Sequence, residues 1–189
     1  MQAEGAGRIV VTTWHLEMRR APARMRALPA GAIVSRATAI PLSFYRYLYE
    51  TVGAPWCWVD RRWMGDAELA SHVHDPRVEV HVASVEGAPA GYFELDARKL
   101  ATDREIELAY FGLVPWRIGG GLGGPLLDAA IERAWAMGRA HGAMDRLWVH
   151  TCSLDHPRAR AAYARAGFVE YEAHDHEEWD PRPLPVSPR

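Results

Sequence analysis

Five glycines stand in the six positions from 119 to 124, and few local features restrict a fold as tightly. Glycine adopts backbone conformations closed to other residues, so a run of it lets several N–H groups turn toward one point. The run comes after EIELAYFGLVP, which reads as a strand, and precedes LLDAAIERAWAMGRAHGA, whose apolar residues recur at helical spacing. Pro125 stands where a helix tolerates proline, because the first N–H groups of a helix have no partner within it. Leu127, Ile131, Trp135 and Gly138 then fall on one side, and Asp128, Glu132 and Arg139 mark the side expected to face water. Strand, glycine loop and helix N-terminus together make an anion site. A second strand, RLWVHTC, and a short helix, DHPRARAAYARAGF, complete the stretch from Glu105 to Phe168.

The rest of the chain reads as part of the same single domain, residues 1–180, with a proline-rich arm at 181–189. IVVTTWHLE (9–17) and AIVSRAT are strand-like, separated by a proline-bearing connection. Pro41 opens a helix whose Leu42, Tyr45, Leu48 and Tyr49 share a face, with Gly53 as its stop, and Asp66 is the expected cap of a short helix over 66–75. Between them Trp56, Trp58 and Trp63 crowd a loop that is either a satellite core or a lid. VEVHVASVEG, PAGYFELDA and REIELAYFGLVP succeed one another through short turns, which implies an antiparallel meander. The strand beyond the long helix implies a parallel neighbour, so the expected architecture is α/β: a mixed, mostly antiparallel sheet flanked by helices. VEYEAHDHEEW adds one or two further strands.

A formal net charge of −2 gives no field for nucleic acid, and the arginines at 19–26 and acids at 170–180 read as solvated faces. No apolar run reaches membrane-spanning length, the N-terminus lacks a signal pattern, and the two cysteines, Cys57 and Cys152, make no disulfide framework. The expectation is a cytoplasmic protein without membrane or nucleic-acid partners. A homodimer is compatible with the sequence, though no seam stands out. His72 with His74, and His174 with His176, lack convincing further ligands, so no metal is expected.

Three phosphate-binding readings compete for the glycine loop. The nucleotide-hydrolase loop fails because no Lys-Ser/Thr comes after the glycines. The dinucleotide fingerprint is matched by Gly119, Gly121 and Gly124, but an antiparallel hairpin precedes it and no acidic residue ends a strand about twenty positions on. The third reading fits best. LVPWRIGGGLGGPLL resembles the coenzyme A pyrophosphate loop of the GNAT acyltransferase superfamily, and DHPRARAAYARAGFVEY resembles its second signature, Asn-x-x-Ala-x-x-x-Tyr-x-x-x-Gly-Phe. The resemblance covers roughly residues 78–180, and with WVHTCSLDHP it is similar to a bacterial branch of undefined substrate.

The resemblance implies a pyrophosphate loop formed by Ile118, Gly119, Gly120, Gly121, Leu122, Gly123 and Gly124, with Gly121 and Gly123 as the Gly-x-Gly pair. Ile118 occupies the usual Gln/Arg position, which removes a polar side chain but leaves the backbone donors. By the same resemblance, Leu113 and Val114 match the strand end that pairs with the pantetheine arm of the donor, and His156 stands where the family often has Asn. Tyr163 is thereby implied to lie beside the thioester sulfur, and Glu107 matches the family's glutamate on the strand before the loop. The implied function is an N-acyltransferase that moves an acetyl or other short acyl group from acyl-CoA, as co-substrate, to a primary amine.

Acyl transfer requires the amine to lose a proton, the carbonyl oxygen to be stabilised and the departing thiolate to gain a proton. A phenol with a pKa of about 10 can supply the last, which suits Tyr163; the alternative is a tyrosine that only fills an alanine-rich helix face. Glu107, Glu105 and His150 are the candidate bases. The N–H groups of Leu113 and Val114 are the candidate oxyanion donors. A non-catalytic acyl-CoA sensor on the same fold, and then a dinucleotide-dependent oxidoreductase, are the alternatives. The acceptor, a small-molecule or peptide amine, is not legible.

Overall fold

In the computed structural model, residues 7–23, 25–142 and 144–182 are described. The proline-rich arm therefore lies outside the described residues from 183 onward, as do residues 1–6, to which the reading of the N-terminus applies. Seven strands form one mixed sheet: β1 Arg8–Met18, β2 Ala32–Arg36, β3 Val78–Val85, β4 Ala88–Asp96, β5 Glu105–Leu113, β6 Arg146–Cys152 and β7 Val169–Trp179. Their order across the sheet is β2-β3-β4-β5-β6-β1-β7, and β5–β6 is the parallel pair. The mixed, mostly antiparallel sheet is as expected. Its order is not written in any local pattern: the first strand lies between β6 and β7, antiparallel to both. The tail forms the single long strand β7, which is exposed along nearly its whole length.

Alternation along the strands feeds two cores, one on each face of the sheet. On one side α4 (Gly123–Ala140) buries Leu126, Leu127, Ile131 and Met137 against Phe93, Leu95, Ile106 and Leu147. On the other, α1 (Leu42–Gly53) and α2 (Asp66–Val73) bury Tyr45, Leu48, Tyr49 and Leu69 against Val80, Val82 and Tyr92. Full burial of each such side chain contributes about 1.5–3 kcal/mol. A short α3 (Leu100–Asp103) links β4 to β5, and α5 (Ala159–Ala166) packs Tyr163 and Ala166 into the core under α4. Among the described residues, no helix is long and apolar enough to cross a membrane.

Two local readings are corrected. Asp66 makes no capping hydrogen bond, because the cap position is Gly65, and its carboxylate instead accepts from Arg46 at 2.8 Å. Asp128 does not face water. It is 5% exposed and held by Arg26 from the β1–β2 connection, a contact 102 residues away in sequence that helical periodicity has no means of registering.

A buried carboxylate ties three elements together. Glu79 on β3 accepts both forks of Arg133 from α4 at 2.6 Å, Arg36 from β2 at 2.8 Å and the His81 ring at 2.8 Å. Burial alone would raise its carboxyl, but these partners outweigh it and hold the pKa at about 2, against an ordinary 4.5. A depressed carboxyl stabilises the fold above its unfolded pKa and loses that contribution as pH falls. Unfolding free energy should therefore drop between pH 4.5 and about 2. Denaturant titrations across that window should show a shallower fall in Glu79→Gln than in the wild type.

Candidate active site

The site begins where two strands part. β5 and β6 are in register at three positions only: Glu105 with Arg146, Ile106 with Leu147 and Glu107 with Trp148. Beyond these, β5 keeps to β4 as far as Leu113, and β6 keeps to β1 as far as Cys152. The register supplies the cause. On β5, Leu108 faces Leu95 and Tyr110 faces Glu94, leaving Ala109 as an extra residue. Such a bulge bends its strand and raises the local twist, so β5 turns away from β6 just past their last pair. The gap opens into a cavity of about 950 Å³.

The N–H groups expected at the end of β5 separate cleanly. Val114 is fully buried and its N–H donates to Ala90 O at 3.0 Å, so neither its side chain nor its donor is available to the cavity. This removes Val114 from the candidate ligand and oxyanion donors. Backbone groups alternate sides along an extended strand, so Leu113, one residue earlier, directs its N–H toward the gap.

At the glycine loop, Gly119 (φ +87°) and Gly121 (φ +83°) take left-handed conformations that an L side chain strains to adopt. Ile118 N–H bonds Pro115 O and Gly120 N–H bonds Arg117 O, both at 3.3 Å. The N–H groups of Gly119, Gly121, Leu122, Gly123 and Gly124 have no acceptor among the described residues. Gly119, Gly121, Gly123, Gly124 and Ile118 line the cavity; Gly120 and the buried Leu122 side chain do not. Loop and helix start thus present several unengaged donors to one space, as a di-anionic ligand requires.

Tyr163 and His150 line the same cavity. Tyr163 is 6% exposed, with Phe111 and Phe168 edge-on to its ring. Burial, and then the charge of Asp155, push its phenol above the ordinary value, so it stays protonated throughout the neutral range. His150 reaches the cavity from β6, with its Nδ1 3.5 Å from Glu107 Oε1. Glu107 raises its pKa through that contact and then through charge, against the opposing effect of desolvation, and Asp155 and Asp60 add to the rise. Glu107 itself stands behind the histidine rather than on the cavity wall. Glu105 is 8% exposed and engaged by Arg146 at 2.6 Å, so it belongs to a structural ion pair. His156 lines the cavity, but its Nδ1 accepts the Arg158 N–H at 3.0 Å, shaping the turn into α5.

The tryptophan loop folds over the cavity. Trp58 Nε1–H donates to Asp155 Oδ1 at 3.1 Å, and Trp56 lies edge-on to His156 at 4.8 Å, so the loop before α2 meets the loop before α5. Asp155 is anchored in turn by Thr151 Oγ1 at 2.8 Å and Cys152 N–H at 3.0 Å. Trp63, 57% exposed, takes no part in this roof. The cavity also draws on Thr13 of β1 and on Asp60, which the sequence did not bring forward, and on Arg26 and, from the edge strand β7, His176 and Glu178, which it did not read as cavity residues. His174 and His176 do share a face, with rings 5.7 Å apart, and no metal-binding group of three or more His, Cys, Asp or Glu residues occurs among the described residues.

The model of the Acetyltransferase (GNAT) family matches residues 43–168. No curated relative matches the chain in sequence. Among solved structures, the fold is similar to a tandem GNAT protein from the clavulanic acid biosynthesis pathway, with 18% identity, a TM-score of 0.63, and coverage of 94% of this chain and 56% of that one. It is also similar to a GCN5-related N-acetyltransferase from Sphaerobacter thermophilus, with 16% identity, a TM-score of 0.62, and coverage of 93% and 53%. An IAA acetyltransferase from Bacillus cereus shares 23% identity with a TM-score of 0.52, over 75% of this chain and 79% of its own. The chain thus spans little more than half the length of the first two.

The roof depends on one carboxylate. Asp155→Ala removes the acceptor of three donors, two of them at the end of β6, and should lower the unfolding free energy by about 2–3 kcal/mol. Chemical denaturation measures that loss, and a change in tryptophan emission should accompany release of Trp58.

Proposed function

The chain belongs to the GNAT acetyltransferase family, and on that premise we propose that it moves an acetyl group from acetyl-coenzyme A to a primary amine. The gap between β5 and β6 carries this reading, because it opens on the unengaged donors of the glycine loop, His150 and Tyr163 within one cavity. The chemistry of the donor set fits the co-substrate. Free N–H groups at Gly119 and from Gly121 to Gly124 suit a pyrophosphate, and the open edge of β5 suits an amide-bearing pantetheine arm.

His150, neutral at its Nε2 or relayed by a water, accepts the proton of the attacking amine, and Glu107 behind it stabilises the imidazolium that results. The Leu113 N–H donates to the carbonyl oxygen as negative charge develops there. Tyr163 donates its proton to the departing thiolate. The C–N bond forms as the C–S bond breaks, and His150 and Tyr163 return to their starting states by exchange with solvent. Glu107 acts through His150 in this scheme, which distinguishes the two carboxylates of β5: Glu105 holds the sheet and Glu107 tunes the base. Alignment of the two substrates in the cavity supplies much of the remaining rate.

A panel of amines offered with acetyl-CoA, with thiol release as the readout, tests the reaction. Binding of coenzyme A with no amine-dependent release would leave the sensor reading standing, and preference for NADH over acetyl-CoA would leave the dinucleotide reading. On the responsive amine, Tyr163→Phe should lower kcat about a hundredfold with little change in KM for acetyl-CoA; an unchanged kcat would remove Tyr163 from the reaction. The base must be neutral, so activity should rise with pH through a His150 pKa lying above 6.5. Glu107→Gln removes the largest upward influence on His150, and the inflection in kcat/KM should move to lower pH. An inflection that stays in place would separate Glu107 from the base.

A further inference from the structure

The glycine loop brings no polar side chain of its own at position 118, where Ile118 stands. A guanidinium arrives from another segment. Arg26, in the β1–β2 connection, lines the cavity together with Gly123, Gly124 and Pro125. Its Nε donates to Asp128 Oδ2 at 2.7 Å, its Nη2 donates to Oδ1 at 2.8 Å, and its backbone N–H donates to the same carboxylate at 2.7 Å. The carboxylate is buried one turn into α4, so the bidentate fork holds the guanidinium in a single orientation although half of the Arg26 side chain is exposed.

The third nitrogen, Nη1, has no acceptor among the described residues, and it rests on the first turn of α4. A Cβ built on Gly124 would lie 2.8 Å from Arg26 Cζ and closer still to Nη1. Gly124 is not required by the Gly-x-Gly pair that Gly121 and Gly123 supply, so the approach of Arg26 gives this extra glycine its physical reason. Asp128 balances the guanidinium's charge but occupies only its Nε–Nη2 edge. The Nη1 donors remain, beside the unengaged N–H groups of Gly123 and Gly124.

We propose that Arg26 is a binding residue for the pyrophosphate of the acyl donor, oriented by Asp128 and seated on Gly124, in place of the polar side chain that the loop lacks. This rests on the reading of the cavity as a coenzyme A site. The Nη1 donors and the loop amides grip the diphosphate from two segments of the chain. Binding therefore also fixes the β1–β2 connection over the start of α4.

Calorimetric titration of the full chain with coenzyme A, 3′-dephospho-coenzyme A and S-acetylpantetheine tests the assignment. R26Q should weaken both nucleotide ligands about tenfold and leave the phosphate-free S-acetylpantetheine unchanged. G124A should imitate it by displacing the guanidinium. The double variant R26Q/D128N leaves no buried carboxylate unpaired, so it serves if R26Q alone is unstable. Equal affinity of wild type, R26Q and R26Q/D128N for coenzyme A would overturn the Arg26 assignment alone. A loss confined to coenzyme A and absent for its 3′-dephospho form would overturn it by moving the contact to the 3′-phosphate. Wild-type protein that binds no coenzyme A would sink the cavity reading, and the assignment with it.

Discussion

The pairing of β5 with β6 over three residues and no further is the constraint on which the site depends. A sheet whose central strands separate would ordinarily expose two rows of backbone donors and acceptors. Here each strand keeps a full partner on its other side, β4 for β5 and β1 for β6, and α4 packs across both from one face. The separation is therefore confined to one edge of each strand, and the opened edge is what a ligand can occupy. The bulge at Ala109 sets where the opening starts, just past Glu107. The carboxylate that tunes His150 thus sits at the apex of the gap.

The walls are fixed by buried polar groups as well as by apolar packing. Glu94, fully buried on β4, accepts Tyr45 OH at 2.6 Å and Arg61 Nη2 at 2.9 Å. The Arg61 guanidinium lies over the Tyr110 ring at 5.4 Å, and Trp58 packs against Tyr110 at 5.2 Å. A charged pair beneath α1 therefore supports the aromatic wall from below, while Asp155 holds Trp58 from above. Removing one member of such a pair leaves an uncompensated charge, so the wall is resistant to small rearrangements. The tryptophan loop, open in the sequence between a satellite core and a lid, divides: Trp58 packs against the second core and lines the cavity, whereas Trp63 is exposed.

The glycine loop, the long helix behind it and the hairpin before it were legible because each depends on residues adjacent in sequence. The alternation of Val78, Val80 and Val82, the helical spacing of Leu127 and Ile131, and the proline after the glycines are local signals. What stayed hidden is what the fold brings together from a distance. No pattern places β1 between β6 and β7, which is how Thr13, His176 and Glu178 reach the cavity. Nor does any pattern pair Arg26 with Asp128, since both residue types ordinarily face water and nothing nearby in the chain marks either one. Val114 was misplaced for a related reason. Whether a strand-end N–H is free depends on where the neighbouring strand stops, and β4 still offers Ala90 O at that level to take it.

Amide hydrogen exchange with and without acetyl-coenzyme A bears most directly on the claim that the opened edge of β5 and the glycine loop hold one ligand. The register with β4 turns the Leu113 amide into the gap, and the amides of Gly121 to Gly124 have no acceptor among the described residues, so all of them should exchange quickly in the free protein, then slow on ligand addition. Val114, already bonded to Ala90, should be slow in both states. Acetyl-coenzyme A that binds and leaves the exchange of Leu113 and the loop amides unchanged would contradict the account.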